Sequence, residues 1–380
     1  MSWTGSGTLV TSPSGLGTTT RAELRRAICR ELHMPFARRV ESGFLSVGAS
    51  PAPTVTTLPD ANLTQESDFW TGQWWYSVTN DEVRRITRFQ ADTNVLTLEY
   101  PATLPVAGDN YEIHAVWNAI DLHSAINRAI NDAFPAFFDY VTDETTVMRE
   151  DTLKYPTAGL THAPWRIVKL WAEINDTKIT GTATAGTTTL LTNTRADFSK
   201  VTQGWLVSIY SGTGAGQLRE VNTATATTIT PTISFEIAPD TTSKYAVWNP
   251  DSQTNNWEQI LHSSFDAKEF PRYIYLTKQF PSSYGLRLRI EYTHKPSVMT
   301  LDSSVTAIPT EFLINKTLSI LFGQKVNDNR LDRNRYANLE EYRRQLSEQY
   351  RTLRAFQQPD ITVWQQARTL LSRPEMENPF

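Results

Sequence analysis

The residue types that most often carry out catalysis are present in this sequence, but their spacing forms no catalytic or metal-binding motif. The six histidines show no HxH, HxxxH or HExxH spacing and have no cysteine partners, which argues against a metal site. They are His33, His114, His123, His162, His262 and His294. The single cysteine, Cys29, excludes an internal disulfide, and its helical context predicts a small buried hydrophobic residue.

Nucleophile and phosphate-binding motifs are also missing. The only glycine-rich stretch, residues 212–216, is followed by a strand pattern, whereas a phosphate loop requires the N-terminus of a helix at that point. We therefore predict a hairpin turn there, and no G-x-S-x-G elbow occurs elsewhere. Two carboxylates could still form a glycosidase site, because their separation depends on the fold. No acidic pair stands in a context that singles it out, so we predict no enzymatic activity and no cofactor or metal.

Composition limits the partners that the chain can bind. The 380 residues carry a formal net charge of −4, so no overall positive field is available to hold nucleic acid by its phosphates. The hydrophobic fraction of 39% is ordinary for a soluble protein. No apolar run approaches the roughly 20 residues that span a bilayer. We expect a folded protein that does not enter a membrane.

Two stretches, residues 44–117 and 179–248, follow one short β pattern in the same order. The first contains Asp68-Phe69, Gly72, Trp74-Trp75, Arg84-Arg85-Ile86, Leu96-Thr97-Leu98, Tyr111, Ile113 and Trp117. The second contains Asp197-Phe198, Gly204-Trp205, Arg219-Glu220-Val221, Thr228-Ile229-Thr230, Tyr245, Val247 and Trp248. The interval from the central arginine to the tyrosine is almost the same in both, and strand and turn lengths fix such intervals. The pattern predicts two copies of one β module.

Side chains within the repeat each allow two interpretations. Its tryptophans are predicted to lie in β cores rather than to form sugar-binding platforms. They are Trp74, Trp75, Trp205 and Trp248. Arg84 and Arg219 could bond backbone carbonyls or face a channel, and their recurrence favours the bonds to carbonyls.

Helical patterns lie on both sides of the β modules. Thr20 and Glu23 have the spacing of a capping box, with an amphipathic helix after them. A second helix is predicted over residues 122–137, with Asp121 as its N-cap. In the last predicted helix, leucines recur at heptad spacing with tyrosines between them, which is typical of a stripe that packs against a partner. These residues are Leu339, Tyr342, Leu346, Tyr350 and Leu353.

Together these patterns predict an α+β fold in which a helical bundle core is interrupted by two related antiparallel β modules of sandwich or barrel type. The helical core comprises residues 19–39, 119–140 and 305–356, and the β modules comprise residues 40–118 and 164–249. A β-hairpin region is predicted at 257–300. Extended arms complete the chain: a flexible N-terminal arm at 1–18 and a C-terminal docking arm at 357–380.

The helix that contains Ala125-Ile126-Asn127 precedes a β insertion and a run that leads into two further helices. That run is Tyr292-Thr293-His294-Lys295-Pro296, followed by Leu301-Asp302 and Ile308-Pro309. This order resembles head-to-tail adaptor proteins of tailed bacteriophages over residues 119–356. The threonine-rich modules, including residues 214–221, look like modules common in phage virion proteins. Both β modules are additions to the minimal helical adaptor.

The resemblance implies a virion protein without an active site, assembled in the host cytoplasm and located in the neck between capsid and tail. About twelve copies would form a ring that joins the portal protein ring to a tail or nozzle protein. DNA would pass through the ring without specific binding. The apolar residues Trp364, Leu370 and Leu371 of the C-terminal arm are the predicted portal contact. The heptad residues of the last helix are predicted to pack against neighbouring copies.

Other functions are also compatible with the sequence. The main alternative is a tail, receptor-binding or baseplate module whose Trp-rich β domains bind carbohydrate. A cell-wall-degrading enzyme of the particle and a tail-terminator ring are further possibilities. Glycan binding, release of reducing ends from host wall and co-assembly with a portal ring distinguish these functions.

Overall fold

The computed structural model describes residues 19–32, 41–44, 52–252, 256–261, 263–266, 272–326 and 333–355. The chain divides into two compact units. The first combines Pro13–Phe138 with Pro296–Gln358, and the second contains Asp139–Lys295. The predicted arms at residues 1–18 and 357–380 lie outside the described residues.

Helices and strands are numbered here in chain order. The helices are α1 (Arg21–Glu31), α2 (Ala119–Ala133), α3 (Thr310–Val326) and α4 (Arg333–Ala355). The first unit begins with β1 (Thr19–Thr20), β2 (Glu41–Phe44), β3 (Thr57–Pro59), β4 (Trp74–Ser77), β5 (Glu82–Gln90), β6 (Val95–Leu98) and β7 (Asn110–His114). The second unit contains β8 (Asp139–Val147), β9 (Lys154–Pro156), β10 (Arg166–Ile174), β11 (Ile179–Thr182), β12 (Ala185–Thr187), β13 (Leu190–Thr192), β14 (Leu206–Ser211), β15 (Leu218–Ala224), β16 (Thr228–Pro231), β17 (Lys244–Trp248), β18 (Asn256–Gln259), β19 (Ser263–Asp266), β20 (Tyr273–Leu276) and β21 (Arg287–His294). The first unit then adds β22 (Val305–Thr306).

In the first unit, α1, α2 and α3 share one apolar cluster, and part of α4 packs against it. The predicted capping box of α1 is confirmed: the Glu23 amide donates to Thr20 Oγ1 at 3.2 Å, and the Thr20 amide donates to Glu23 Oε2 at 2.8 Å. The predicted N-cap of α2 is wrong. Asn118 caps this helix by accepting from the Asp121 amide at 2.8 Å, because the helix begins three residues before the apolar stripe.

The first β module, β2 to β7, also belongs to the first unit. Its strand order is β2-β7-β4-β5-β6-β3, and all pairs are antiparallel. Alternate residues of each strand point to one side and form a separate core. That core includes Leu58, Trp70, Trp75, Ile86, Phe89, Leu96, Tyr111 and Ile113.

The second β module, β11 to β17, has the order β11-β17-β14-β15-β16-β13-β12. Strands β11 and β12 follow each other in the chain but pair with opposite ends of this sheet. Two bonds continue these pairings through residues 183 and 184, which connect β11 directly to β12: Ala183 N donates to Ser243 O beside β17 at 2.9 Å, and Thr184 N donates to Thr192 O of β13 at 2.8 Å. The sheet therefore closes on itself as a small barrel.

The two modules have the same strand order when β2, β7, β4, β5, β6 and β3 are matched with β11, β17, β14, β15, β16 and β13. The register also matches: the pairs Trp75↔Arg84, Ser77↔Tyr111 and Leu58↔Leu96 correspond to Val207↔Arg219, Ile209↔Tyr245 and Leu191↔Ile229. Two sequence equivalences shift in the structure. Trp205 takes the place of Gln73, since both follow the positive-φ glycines Gly72 and Gly204. Trp248 takes the place of His114, because Leu206 and Trp74 pair with them.

The remaining strands of the second unit form a four-stranded sheet, β18-β10-β21-β8, and a three-stranded sheet, β19-β20-β9. The strands assigned by sequence to one hairpin, β20 and β21, therefore lie in different sheets. Strand β21 pairs with β8 and β10, which precede it by more than 100 residues.

The predicted helical bundle core is wrong. The described residues form four helices and five β-sheets, so the fold is mainly antiparallel β with a smaller helical part. Of the hydrophobic clusters formed by the described residues, one is helical and the others lie between or within sheets. The sequence prediction missed this architecture because strands that are far apart in the chain pair with each other, and such pairing gives no periodic signal within a local stretch of sequence.

Candidate functional site

An open polar cavity of about 520 Å³ lies beside α2 in the first unit. The residues that line it come from α1, from the turn between β4 and β5, and from one face of α2. They are Arg21, Asp81, Ile120, His123, Ser124, Asn127, Arg128 and Asn131. Asp81 has a φ of 53°, a left-handed conformation that is uncommon for a residue other than glycine. The turn thus places the Asp81 carboxylate at the cavity.

Arg25 is the centre of a buried cluster of charges beneath this cavity. It follows Leu24 on the buried face of α1, and its side chain is 0% exposed. Its guanidinium donates to Glu112 at 2.8 and 3.0 Å and to Asp302 at 2.7 and 2.8 Å. A fifth bond, from Nη1 to His123 Nε2, is 2.9 Å long. Both carboxylates are thus held in two-point contacts by one guanidinium.

Arg21 and Tyr76 extend this cluster to the cavity wall. Arg21 donates to Asp302 Oδ1 at 2.9 Å, to Thr300 O at 2.9 Å and to Asp81 Oδ1 at 3.3 Å. The Tyr76 hydroxyl donates to the same Asp81 oxygen at 2.8 Å. These bonds fix the Asp81 carboxylate, although its side chain is 48% exposed.

The cluster strongly favours its charged forms. Burial alone would raise the pKa of Glu112, but hydrogen bonds from His114 and Arg25 hold that pKa far below its usual value. The pKa of Asp302 is lowered as well, because the Arg25 bonds and the Arg21 charge outweigh burial. Burial would lower the pKa of Arg25, yet its bonds to Glu112 and Asp302 raise it above the ordinary range.

Two neutral groups lie against these charges. Burial, with the nearby Arg21 and Arg25 charges, lowers the pKa of His123 to about 4, so the imidazole is neutral at pH 7. Burial and the Glu112 charge raise the pKa of Cys29 to about 12. Cys29 is therefore a thiol rather than a nucleophilic thiolate. It packs against the helical cluster but is half-buried rather than buried as predicted.

This arrangement connects α1 to β7 and to Asp302 before α3, and its two carboxylates offer no catalytic pair. A glycosidase needs one carboxyl group that stays protonated to act as the general acid. Glu112 and Asp302 both have lowered pKa values and are bonded to the same arginine. Within the described ranges, no group of three or more His, Cys, Asp or Glu residues is placed to hold a metal ion.

The sequence did not identify this cluster, although α1 carries a signal. Arg21 and Arg25 lie one turn apart beside the buried positions Leu24 and Ile28, and an arginine within an apolar stripe indicates a buried ion pair. Its partners could not be read from the sequence. Glu112 is 87 residues away and Asp302 is 277 residues away.

The predicted contact residues occupy several kinds of position. Leu339 and Tyr350 pack against the helical cluster of their own chain, and Leu346 is half-buried. Tyr342 is 56% exposed. The Leu353 side chain lies outside what the structure describes, and so do the predicted portal-contact residues Trp364, Leu370 and Leu371.

The prediction that Arg84 and Arg219 bond backbone carbonyls is confirmed. Arg84 donates through Nε to Pro101 O at 2.9 Å, and Arg219 donates through Nε to Ser234 O at 3.0 Å. Each also bonds the carbonyl of the residue before it at 2.8 Å. The same side chain thus fixes the same loop in both modules.

The four tryptophans for which core positions were predicted divide into two buried and two half-buried side chains. Trp75 and Trp248 are 1% and 0% exposed. Trp205 is half-buried and packs against the core of the second module, and Trp74 is half-buried. The prediction of core positions is therefore confirmed for Trp75, which lies in the core of the first module, whereas Trp248 is buried on the outer face of the second module beside Val147 and Leu286.

A comparison with known protein families finds none that matches this chain, and a comparison with curated proteins finds no similar sequence. Among the helices in the described ranges, none is long and apolar enough to cross a bilayer.

Proposed function

We propose that this chain is a non-enzymatic virion structural protein that forms a ring, joins the portal to the tail and lines part of the DNA channel. The observation that carries the proposal is the duplicated β module, whose two copies share strand order and register. These threonine-rich modules resemble modules that are common in phage virion proteins. The module is thus suited to assembly rather than to catalysis.

The charged cluster supports a structural role. Its carboxylates bond one buried arginine and are kept ionised, so neither is available as a proton donor at neutral pH. The formal net charge of −4 suits a channel that lets DNA pass, because each phosphate contact would add to the energy that holds DNA in place.

Carbohydrate binding by the repeat has less support. Sugar platforms require aromatic faces that are open to solvent, and Trp75 and Trp248 are 1% and 0% exposed. A glycan array probed with the purified chain tests this alternative. Specific glycan binding that survives substitution of Trp74 would still favour the receptor-binding function over the connector.

The exposed Tyr342 is the residue of the heptad set best placed for a contact between copies. Replacing it with arginine should reduce ring formation, because a charged side chain would have to be buried in the contact. Glu341→Arg is the matched control, since Glu341 is an exposed neighbour on the same helix. Equal ring formation by both variants would remove Tyr342 from the interface.

Imaging with a portal ring tests the proposal as a whole. The full chain and a version that ends at residue 356 are each mixed with the portal ring encoded by the same genome and viewed by negative stain. A stacked double ring that forms with the full chain but not with the shortened one supports both the connector function and the C-terminal docking arm. Failure of the full chain to bind the portal contradicts the proposal.

A further inference from the structure

His123 presents an oriented hydrogen-bond donor to the cavity beside α2. A guanidinium can only donate, so His123 Nε2 must accept the 2.9 Å bond from Arg25. The neutral imidazole therefore carries its proton on Nδ1. The nearest acidic atom to Nδ1 is Asp81 Oδ1 at 3.8 Å, which is too far for a hydrogen bond. His123 is 7% exposed, so this donor is a buried group at the cavity floor.

The cavity also contains a cation without a partner. Arg128 is exposed and forms no hydrogen bond or ion pair with any residue that the structure describes. Ser124, Arg128 and Asn131 lie at helical spacing on one face of α2, and all three line the cavity. Several side-chain donors thus meet at one place.

The charge balance selects the ligand. Three carboxylates of the cluster, Glu112, Asp302 and Asp81, are balanced by three arginines, Arg21, Arg25 and Arg26, with Arg26 paired to Glu112 at 3.2 Å. The remaining charge at the cavity is the single positive charge of Arg128. A group with one negative charge neutralises it, whereas a dianion leaves an excess charge beside Asp81.

We propose that this cavity binds one carboxylate, the side chain of an aspartate or glutamate on an acidic protein segment. The Arg128 guanidinium would form the ion pair, and His123 Nδ1–H would donate to the second oxygen. A DNA backbone is a poorer match, because it carries a negative charge on every nucleotide. The single free guanidinium would neutralise only one of these phosphates, and the chain as a whole is negative. The proposal depends on the geometry of the cavity and does not require the connector function.

Histidine side-chain NMR of the full-length chain tests the site with acetate as the probe. Long-range ¹H–¹⁵N spectra are recorded during acetate titration at pH 7.5 and constant ionic strength, and His123→Gln identifies the His123 signals. Acetamide, a neutral molecule of nearly the same shape, is titrated in parallel. We expect a saturable shift of the His123 signals with acetate and none with acetamide.

Two arginine variants separate a specific site from general charge effects. Arg128→Gln should weaken acetate binding about tenfold or more, because it removes the charged partner. Arg195→Gln, an exposed arginine of the second module, should leave binding unchanged. The proposal is overturned if acetamide produces the same shift, if Arg128→Gln binds as the parent does, or if no saturation occurs. Tighter binding of inorganic phosphate through Arg128 would overturn the assignment to a carboxylate.

Discussion

The two β modules have matching inner cores but opposite chemistry on the outer face that meets the rest of their unit. In the first module, Tyr76, Glu112 and His114 contribute to a buried network of charges with α1. The equivalent residues of the second module are Ser208, Ala246 and Trp248. Ala246 and Trp248 belong to an apolar cluster with Val147 and Leu286.

The second module approaches the turn before β21 so closely that the contact requires a glycine. Ser208 Oγ donates to the Gly285 carbonyl. A Cβ on Gly285 would clash with Ala246 Cβ and lie 2.8 Å from Tyr210 Cδ1. Related β modules are therefore attached through a buried network of ion pairs in one unit, and through close apolar packing with a bond from Trp248 Nε1 to Glu173 in the other. The inner face determines the module's fold, and the outer face determines how the module is attached.

The largest expected effect follows from breaking the ion pair of the first module. Glu112→Gln should lower the free energy of unfolding of the first unit by about 3–5 kcal/mol, because Arg25 keeps its charge and loses a buried partner. Amide exchange of Ile113 reports this opening. Glu220→Gln in the second module is the control and should change stability by less than about 0.5 kcal/mol.

A double variant sharpens this prediction. Arg25→Met combined with Glu112→Leu removes both charges together, and it should be more stable than Glu112→Gln alone. If the single substitution costs less than about 1 kcal/mol, the buried charges do not hold the first module in place.

The close contact of the second module predicts the next largest effect. Gly285→Ala should destabilise the second unit by about 3 kcal/mol, through the clash and through its φ of 80°. Gly108→Ala is the matched control. Its φ is 95° and a Cβ there meets open space, so only the backbone cost of about 1 kcal/mol applies. Equal losses in denaturant unfolding would show that the close contact is unimportant.

Acid should weaken the first unit through His123. Its pKa is about 4 in the folded chain, below the ordinary histidine value of 6.5, so the unfolded state takes up the proton first. The stabilisation is complete above pH 6.5 and is lost as the pH falls towards 4. The loss at pH 5 should be about 2 kcal/mol relative to pH 7.

Variants separate this effect from other titrations. The groups that face His123 are Arg21, Arg25, Asp81 and Asp302, and the pKa of Asp302 is already low. His123→Gln should remove most of the pH dependence between 5 and 7 in the exchange of Ile113. An unchanged profile would assign the acid sensitivity to another group.

The smallest predicted effect concerns the arginine that occupies the same position in both modules. Arg84→Gln and Arg219→Gln each remove the same bonds to loop carbonyls, so each should cost about 1 kcal/mol in its own unit. The two losses should agree to within about 0.5 kcal/mol. A much larger loss in one module would mean that the shared arginine has a different structural role there.

Local patterns in the sequence predicted the repeat and the capping box of α1. Arg84 with Arg219 and Tyr111 with Tyr245 marked equivalent places, because turn and strand lengths fix their spacing. The tryptophans were weaker guides. Trp248 aligns with His114 rather than Trp117, since the outer face is free to change its chemistry.

The long-range parts of the fold could not be read in the same way. Strand β21 pairs with β8 and β10 across more than 100 residues, and Arg25 meets Asp302 across 277 residues. Periodicity reports the face that a segment buries but not the segment that covers it. The prediction of a helical bundle core was wrong for this reason.

The most direct test of the connector function is the native mass of the full-length chain bound to the portal ring from the same genome. A connector ring should give a single complex with about twelve copies of this chain per portal ring. A chain that remains monomeric or trimeric in the presence of the portal would contradict it.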